Sequence, residues 1–495
     1  MNDSVFPCRI MPVGELITAF PNPKEAPDDD TQLEEYAGYS FADDTVEDIE
    51  GFLALVSTDY DAYPELDGSA PDAGVFPREV FAVIDPDSTI GLMMAFIAAH
   101  EHRPQPVLRF AAALSWMAHL AGRKVRTACG LRTNLMLCGI AGTACGKEAG
   151  LRAIDRIEYL TRRLPDDGLA VVGAFTSDAG LIRSLVQSPN LFSVVDEFGR
   201  VLRELLDPKA AGHLARLVTS MLSLATSASK TFKGLKYAEQ KRDLEVFQPC
   251  WNLYSVTTPD PLLSGFTSES VSGGLLPRML FFTGDNSPKL RTVHETDPPQ
   301  KLIEQCKGWR SWSSPLAQIG GGGQAVWVFD AESLALLNIA GSRWYRWIRR
   351  SDAGGAPEYR LFSRAEETAK KVALVLAANH YGPCDGGGTI DGRFTKAAIQ
   401  LVDWCLGSFF RLVAGNCSDT MHGRFVLKVL QYIEQAGKNG LPLRKIKRKF
   451  FSVESKTLDG VLAQLVQDER IILENRQPEG GGRPAIWIRA SFAKT

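Results

Sequence analysis

Two short apolar runs, each followed directly by residues that suit a charged ligand, constrain the fold of this chain most strongly. The first run, Leu135-Met136-Leu137-Cys138, leads into a glycine-bearing loop that reaches Lys147. The second run, Leu191 to Val195, ends on Asp196 and Glu197. Short apolar runs bounded by turn residues are typical of buried parallel strands, whose carboxyl ends meet at one edge of a sheet. The two runs therefore predict an α/β fold with the loop and the acidic pair at the same edge.

The residues that follow the first run have the composition of a phosphate-binding loop. Backbone N–H groups of a loop between a strand and a helix point at one spot, where the helix N-terminus adds partial positive charge. A lysine at the end of such a loop can reach the β- and γ-phosphate oxygens of a nucleotide. The predicted nucleotide-binding residues are Gly142, Thr143, Ala144, Cys145, Gly146, Lys147 and Glu148.

This loop departs at two positions from the pattern G-x-x-x-x-G-K-[ST]. Ala141 stands at the first glycine position, and Glu148 replaces the hydroxyl residue that contacts the metal. A carboxylate is a good Mg²⁺ ligand, but it also adds negative charge beside a polyphosphate. Either Glu148 holds the metal in an unusual way, or it weakens nucleotide binding.

The acidic pair and a later polar strand end suit nucleotide hydrolysis. Asp196 is a candidate for holding Mg²⁺, and Glu197 for orienting and deprotonating an attacking water. The run Cys250 to Val256 predicts a further strand, which ends on Thr257 and Thr258. Either threonine could contact the γ-phosphate or the attacking water, and a simple strand-to-turn boundary is the alternative.

Arg278 stands at the mouth of another apolar run, Met279 to Phe282. An arginine so placed can neutralise charge that develops on a transferred phosphoryl group, either within the subunit or from a neighbour. A purely structural arginine at the start of a strand is the alternative.

The composition, with 45% hydrophobic and 23% charged residues, is that of a globular protein. Apolar runs long enough for a membrane span and an N-terminal export signal are both missing, so we expect a cytoplasmic location. Residues 1–90 hold 21 acidic and 3 basic residues, whereas the other 405 carry a balance of +15. A basic body with an acidic end fits a nucleic-acid partner.

Four regions are predicted along the 495 residues. Residues 1–88 are an acidic, partly flexible region, and residues 89–318 form the nucleotide-binding core. A glycine run at 320–323 separates the core from a helical lid or bundle at 324–418. Residues 419–495 show three amphipathic helices followed by two strand-like runs, which is the pattern of a winged helix.

Two basic regions predict contacts with DNA. The lysines of the first region recur every third residue, which suits one face of a helix or a loop facing phosphates, with a solvated face as the alternative. In the winged-helix region the third helix can enter the major groove while the wing touches the DNA backbone, although many winged helices bind proteins instead. The candidate contacts are Lys230, Lys233, Lys236, Lys445, Lys447, Arg448, Ser455, Lys456 and Arg483.

Taken together, these segments resemble a family of prophage-, phage- and plasmid-borne P-loop ATPases of unknown-function type, related to primase-helicases. The resemblance runs from about Thr89 to Val413, with a winged helix behind it. It rests on the segments 142–147, 176–181, 195–199, 257–259 and 274–278. Ala141 and Glu148 depart from the family pattern.

The resemblance implies a RecA/AAA+-like P-loop NTPase core that uses ATP and Mg²⁺. It implies a replication helicase or initiator motor, expected to form a homo-oligomeric, hexameric ring on single- or double-stranded DNA, with other replication proteins as possible partners. One alternative is a non-hydrolysing P-loop DNA-binding or regulatory protein. A role in element-encoded defence is a further alternative.

Overall fold

The structure is a computed structural model, and the part of the chain that it describes begins at Val75 and ends at Ser491. The described ranges are 75–162, 169–207, 209–226, 228–234, 244–263, 266, 273–293, 296–313, 324–352, 357–384, 386–414, 421–434, 436–451, 453–468, 470–476 and 485–491. Most of the predicted acidic region, the glycine run 320–323 and the candidate DNA contacts Lys236 and Arg483 lie outside these ranges.

The apolar runs of the sequence become strands. In chain order the strands are β1 (Val125–Thr127), β2 (Met136–Ile140), β3 (Leu169–Val172), β4 (Asn190–Val195), β5 (Thr231–Lys233), β6 (Glu245–Phe247), β7 (Cys250–Thr257), β8 (Met279–Thr283), β9 (Ala325–Phe329), β10 (Gly387–Ile390), β11 (Leu441–Pro442), β12 (Ile471–Arg476) and β13 (Ala485–Ala490). The predicted strands of the core are thereby confirmed, with shifts of a few residues at their ends.

Amphipathic segments between the strands form the helices, and hydroxyl caps mark where some of them begin. Ser88 accepts a hydrogen bond from the N–H of Gly91, and Ser177 accepts one from Gly180. The helices are α1 (Arg78–Ala82), α2 (Thr89–His100), α3 (Pro106–Ala121), α4 (Ala149–Thr161), α5 (Asp178–Gln187), α6 (Phe198–Leu205), α7 (Gly212–Thr226), α8 (Pro259–Leu263), α9 (Gln300–Ser311), α10 (Ala331–Asp352), α11 (Ala365–Tyr381), α12 (Gly392–Ala414), α13 (Met421–Glu434), α14 (Leu443–Lys449) and α15 (Ser455–Gln467). Within the described ranges, none of these helices is long and apolar enough to cross a membrane.

Five strands form a parallel sheet in the order β3-β4-β7-β2-β8. This sheet confirms the predicted α/β class. Because all five strands run the same way, their last residues share one side of the sheet, called here the carboxyl edge, and their first residues share the amino edge. The strand β7 lies between the loop-bearing strand β2 and the acidic strand β4.

The helices predicted between residues 324 and 418 are present as α10, α11 and α12, and they share one hydrophobic core with the large sheet. Phe409 of α12, for example, stacks on Phe281 of β8 with ring centroids 3.7 Å apart. The same region adds β9 and β10, which join β1 in a three-stranded parallel sheet. The helical pattern of the sequence did not predict these two short strands.

The C-terminal residues form a second hydrophobic core, which includes Val429, Ile446, Leu462 and Ile488. Three helices, α13 to α15, are followed by the antiparallel strands β12 and β13, with β11 pairing on the other side of β13. The helix and strand order predicted from the sequence is confirmed here.

The sequence pattern of residues 200–245 predicts helix, and among the described residues this prediction is wrong for Thr231–Lys233 and for Glu245, which lie in strands. The chain there forms an antiparallel hairpin of β5 and β6. Thr231 and Lys233 are exposed while Phe232 between them is buried, and this alternation is the period of a strand. Because this strand has only three residues, its alternation was too short to recognise beside the lysines that recur every third residue.

Candidate functional site

The glycine loop, residues 141–148, connects β2 to α4 at the carboxyl edge of the sheet. Gly146 has φ +86, and a Cβ atom there would lie 2.6 Å from the carbonyl oxygen of Arg103. A larger residue would therefore clash with the backbone as well as strain its own. Ala144 is also left-handed, with φ 58, which is unusual for a residue with a side chain.

Two side chains that the sequence analysis missed hold the glycine loop in place. The N–H of Gly142 donates to Asn286 Oδ1 at 2.8 Å, and Gln105 Nε2 donates to the carbonyl oxygens of Cys145 at 2.8 Å and Asp285 at 2.6 Å. Asn286 lies just after β8, so a polar residue behind a buried strand was the signal that could have identified it. The loop is thus fixed to the neighbouring end of the sheet.

Lys147 is the central cation of the site. Its side chain is only 4% exposed, and its Nζ lies 3.1 Å from Glu148 Oε1 and 3.4 Å from Glu197 Oε1. Burial by itself lowers the pKa of Lys147, but the contacts with Glu148 and Glu197 outweigh it and raise the pKa above its ordinary value. The ammonium group is therefore charged and paired with two carboxylates.

The acidic pair follows β4 directly, at the same edge as the glycine loop. Glu197 has the left-handed backbone angles φ 50 and ψ 36, and α6 begins at the next residue. The carboxylate of Asp196 accepts a hydrogen bond from the Glu197 N–H at 2.7 Å, and the Asp196 side chain is exposed. The turn directs Glu197 towards Lys147, although their strands are separated by β7.

Thr257 is the last residue of β7, which lies between β2 and β4. Its hydroxyl forms hydrogen bonds within the protein. The buried Thr257 Oγ1 accepts from the N–H of Gly199 at 3.0 Å and donates to the carbonyl oxygen of Thr258 at 3.2 Å. A Cβ atom at Gly199 would lie 2.4 Å from that hydroxyl, which explains why glycine follows the acidic pair. Thr257 therefore fixes the first turn of α6, and the half-buried Thr258 follows it at the same edge.

Arg278 lies at the amino edge, away from the other predicted catalytic residues. It immediately precedes β8, whose first residue Met279 pairs with Met136, the first residue of β2. Arg278 Nη1 donates to the carbonyl oxygen of Gly274 at 2.7 Å. Burial, and then the charge of Arg364, lower its pKa. Within one chain the structure does not bring Arg278 to the glycine loop.

Metal binding at this edge would depend on carboxylate oxygens, which are the ligands that Mg²⁺ prefers. Among the described residues no group of three or more His, Cys, Asp or Glu side chains is arranged to hold a metal alone. Mg²⁺ at nucleotide sites is held by one or two carboxylates together with phosphate oxygens and water. Asp196 and Glu148 are the candidates for these one or two carboxylates.

A cavity of about 580 Å³ borders the first turns of α4, beside the glycine loop. Phe96 and His100 of α2 line one side, and Ala149 and Arg152 of α4 line the other.

The candidate DNA contacts lie in two places. Lys230 and Lys233 are exposed on the hairpin of β5 and β6, whose second strand is followed by the start of β7, so the hairpin lies at the amino edge. Gln248 directly follows β6 and has φ 48. Its N–H donates to the carbonyl oxygen of Lys230, just before β5. Its side-chain oxygen accepts a hydrogen bond from the buried Arg132 at 2.6 Å.

The other contacts belong to α14 and α15. Lys445, Arg448 and Lys456 are exposed. Lys447 instead forms an ion pair with Asp459 at 2.9 Å, and Ser455 donates to the same carboxylate at 3.3 Å. The hydrogen bond from Lys447 lowers the pKa of Asp459. Two of the five predicted contacts are thus engaged with one acidic side chain.

Comparison of the chain with known protein families found no matching family, and comparison with curated proteins found no match. The resemblance described from the sequence motifs therefore remains a prediction.

Proposed function

We propose that this chain is an ATP-dependent, DNA-binding motor that acts in the replication of a phage, prophage or plasmid as a helicase or initiator. The observation that carries the proposal is the contact of 3.4 Å between Lys147 and Glu197. It brings the end of the glycine loop and the residue after the acidic strand to one place, where Lys147 could bind phosphates while Glu197 acts on a water.

In this proposal the core is a P-loop NTPase of the RecA/AAA+-like type. The loop N–H groups and Lys147 bind the phosphates of ATP, and Asp196 with Glu148 holds Mg²⁺, which neutralises charge on the phosphates. Glu197 orients and deprotonates the attacking water, and Thr258 senses the γ-phosphate. Thr257 acts as a positioning residue, because its hydroxyl holds α6 behind the acidic pair.

The proposed DNA surfaces are the hairpin of β5 and β6 and a winged helix at the C-terminus. The order of three helices and an antiparallel sheet supports the winged helix. The exposed Lys445, Arg448 and Lys456 would then contact DNA phosphates, with the third helix α15 directed to the major groove. Lys230 and Lys233 would contact single-stranded DNA at the hairpin.

A ring of identical chains completes the proposed motor. Arg278 lies at the amino edge, so it could act only on a nucleotide bound by a neighbouring copy. Arginines supplied by a neighbour in this way stabilise the charge of the transition state.

A steady-state ATPase assay with and without single-stranded DNA tests the motor. We expect Mg-dependent hydrolysis that DNA stimulates, and a loss of kcat of about 100-fold or more in Glu197→Gln because the base is gone. Glu204→Gln, which removes an exposed carboxylate from the same helix α6, is the matched control and should behave as the unchanged protein. Absence of hydrolysis with DNA and Mg-ATP, or an unaffected Glu197→Gln, contradicts the proposal.

A second candidate is a non-hydrolysing nucleotide- and DNA-binding regulatory protein. The observation that favours it is the contact of 3.1 Å between Lys147 and Glu148, which occupies the phosphate-binding lysine. Glu148→Ser restores the usual hydroxyl residue and distinguishes the two candidates. A rise in ATPase activity supports the regulatory protein, whereas a fall or no change indicates that Glu148 serves the native metal.

A further inference from the structure

The glycine loop carries its own counterion at the position where loops of this pattern carry a hydroxyl. Glu148 Oε1 lies 3.1 Å from Lys147 Nζ, and Glu197 Oε1 lies 3.4 Å from the same nitrogen. Lys147 itself is 4% exposed, so water contributes little to solvating its ammonium group. In the absence of a ligand, the two carboxylates satisfy this buried charge.

The charge balance of the site opposes a bare polyphosphate. Asp196, Glu197 and Glu148 place three carboxylates at one edge of the sheet, and two of them pair with the positive charge of Lys147. ATP without a metal would bring up to about four more negative charges into this partly buried site, where charges are screened less than in water. A hydroxyl at residue 148 would remove one of the two carboxylate partners of Lys147 and one negative charge from the site.

We propose that Glu148 makes nucleotide binding conditional on a divalent cation. When Mg²⁺ is bound, Glu148 would pair with the metal in place of Lys147, and Lys147 would then turn its charge to the phosphates. Without the cation the carboxylates keep Lys147 paired and repel the nucleotide. This inference rests on the proposed nucleotide-binding function and specifies how the same site is regulated.

The experiment is an equilibrium titration of a fluorescent ATP analogue, carried out in excess Mg²⁺ and again in excess EDTA. The full-length chain is compared with Glu148→Gln, which keeps the shape and removes the charge, and with Glu148→Ser, which installs the hydroxyl. Asp155→Asn removes an exposed carboxylate from the same helix α4 and is the matched control. Thermal unfolding of each variant confirms that it is folded.

We expect the full-length chain to bind the analogue about 100-fold more weakly in EDTA than in Mg²⁺, because one nearby unit charge at protein-like screening is worth roughly 10- to 100-fold in affinity. In Glu148→Gln and Glu148→Ser the affinity in EDTA should rise about tenfold, so that the dependence on Mg²⁺ shrinks by the same factor. Asp155→Asn should keep the dependence of the unchanged chain.

Equal dependence on Mg²⁺ in the full-length chain and in both Glu148 variants overturns the inference, while leaving the nucleotide site itself intact. Failure of the unchanged chain and of all variants to bind the analogue in Mg²⁺ overturns the proposed function, and the inference with it. Lys147→Ala separates these outcomes further, since its affinity in Mg²⁺ must fall if Lys147 is the group that the carboxylates release.

Discussion

Glu197 combines a functional side chain with an unfavourable backbone. Its φ of 50 and ψ of 36 place it in the left-handed region, which costs a residue with a Cβ atom about 1–2 kcal/mol. The geometry is useful because it turns the carboxylate back towards Lys147 immediately after β4. The sequence Asp-Glu-Phe-Gly gave no sign of this conformation, since glutamate is not a residue that favours it.

Two substitutions at residue 197 distinguish the cost of the left-handed backbone from the effect of losing the carboxylate. Glu197→Gly and Glu197→Ala both remove the carboxylate, but only glycine adopts the left-handed backbone without strain. We expect Glu197→Gly to have the larger free energy of unfolding, by about 1 kcal/mol, and both variants to lose ATP hydrolysis. Denaturant unfolding measures the difference. An alanine variant that is as stable as the glycine variant would show that the turn is not strained in solution.

The hairpin of β5 and β6 is the element that the sequence analysis described least well. Its strands have three residues each, too short for alternation to be distinguished from the spacing of the lysines. The longer strands β2, β4 and β7 were predicted correctly because continuous apolar runs identify buried strands. The sequence also predicts the edge at which each motif lies. In a parallel sheet, residues that follow a strand lie at the edge opposite to residues that precede one. Arg278 precedes β8 and the glycine loop follows β2, so the two lie at opposite edges.

The exposed lysines of the hairpin yield a prediction about DNA. Lys230→Ala and Lys233→Ala should each weaken single-stranded DNA binding and reduce the slope of log affinity against log salt by about 0.7, because each removes one phosphate contact. Fluorescence anisotropy at several salt concentrations provides the measurement. Lys307→Ala, on the exposed side of α9, is the control and should keep the original slope. Unchanged slopes in both hairpin variants would exclude the hairpin as a DNA contact.

At the scale of the whole molecule, the separation of Arg278 from Lys147 has a consequence for assembly. If Arg278 completes the site of a neighbour, each active site is built from two chains. A chain lacking Glu197 and a chain lacking Arg278 can then complement each other, because an interface that takes its arginine from the first and its carboxylate from the second is intact.

Mixing Glu197→Gln protein with Arg278→Ala protein tests this arrangement. Each variant alone should be nearly inactive, whereas an equal mixture allowed to reassemble should recover up to about a quarter of the normal ATPase rate, the share of intact interfaces expected from random assembly. Arg364→Ala removes the arginine whose charge lowers the pKa of Arg278, and this variant replaces Arg278→Ala in the control mixture. A mixture that stays inactive, or an Arg278→Ala protein that is active by itself, contradicts a shared site.

Strand β7 also links the amino edge of the sheet to its carboxyl edge. This strand begins directly after the hairpin, and its eight residues, all buried, span about 26 Å before they end at the hydroxyl that holds α6. Its backbone is hydrogen-bonded on both sides, to β2 and to β4. We therefore expect a displacement of the hairpin to reach the turn that carries Glu197 through β7 and the Thr257–Gly199 hydrogen bond.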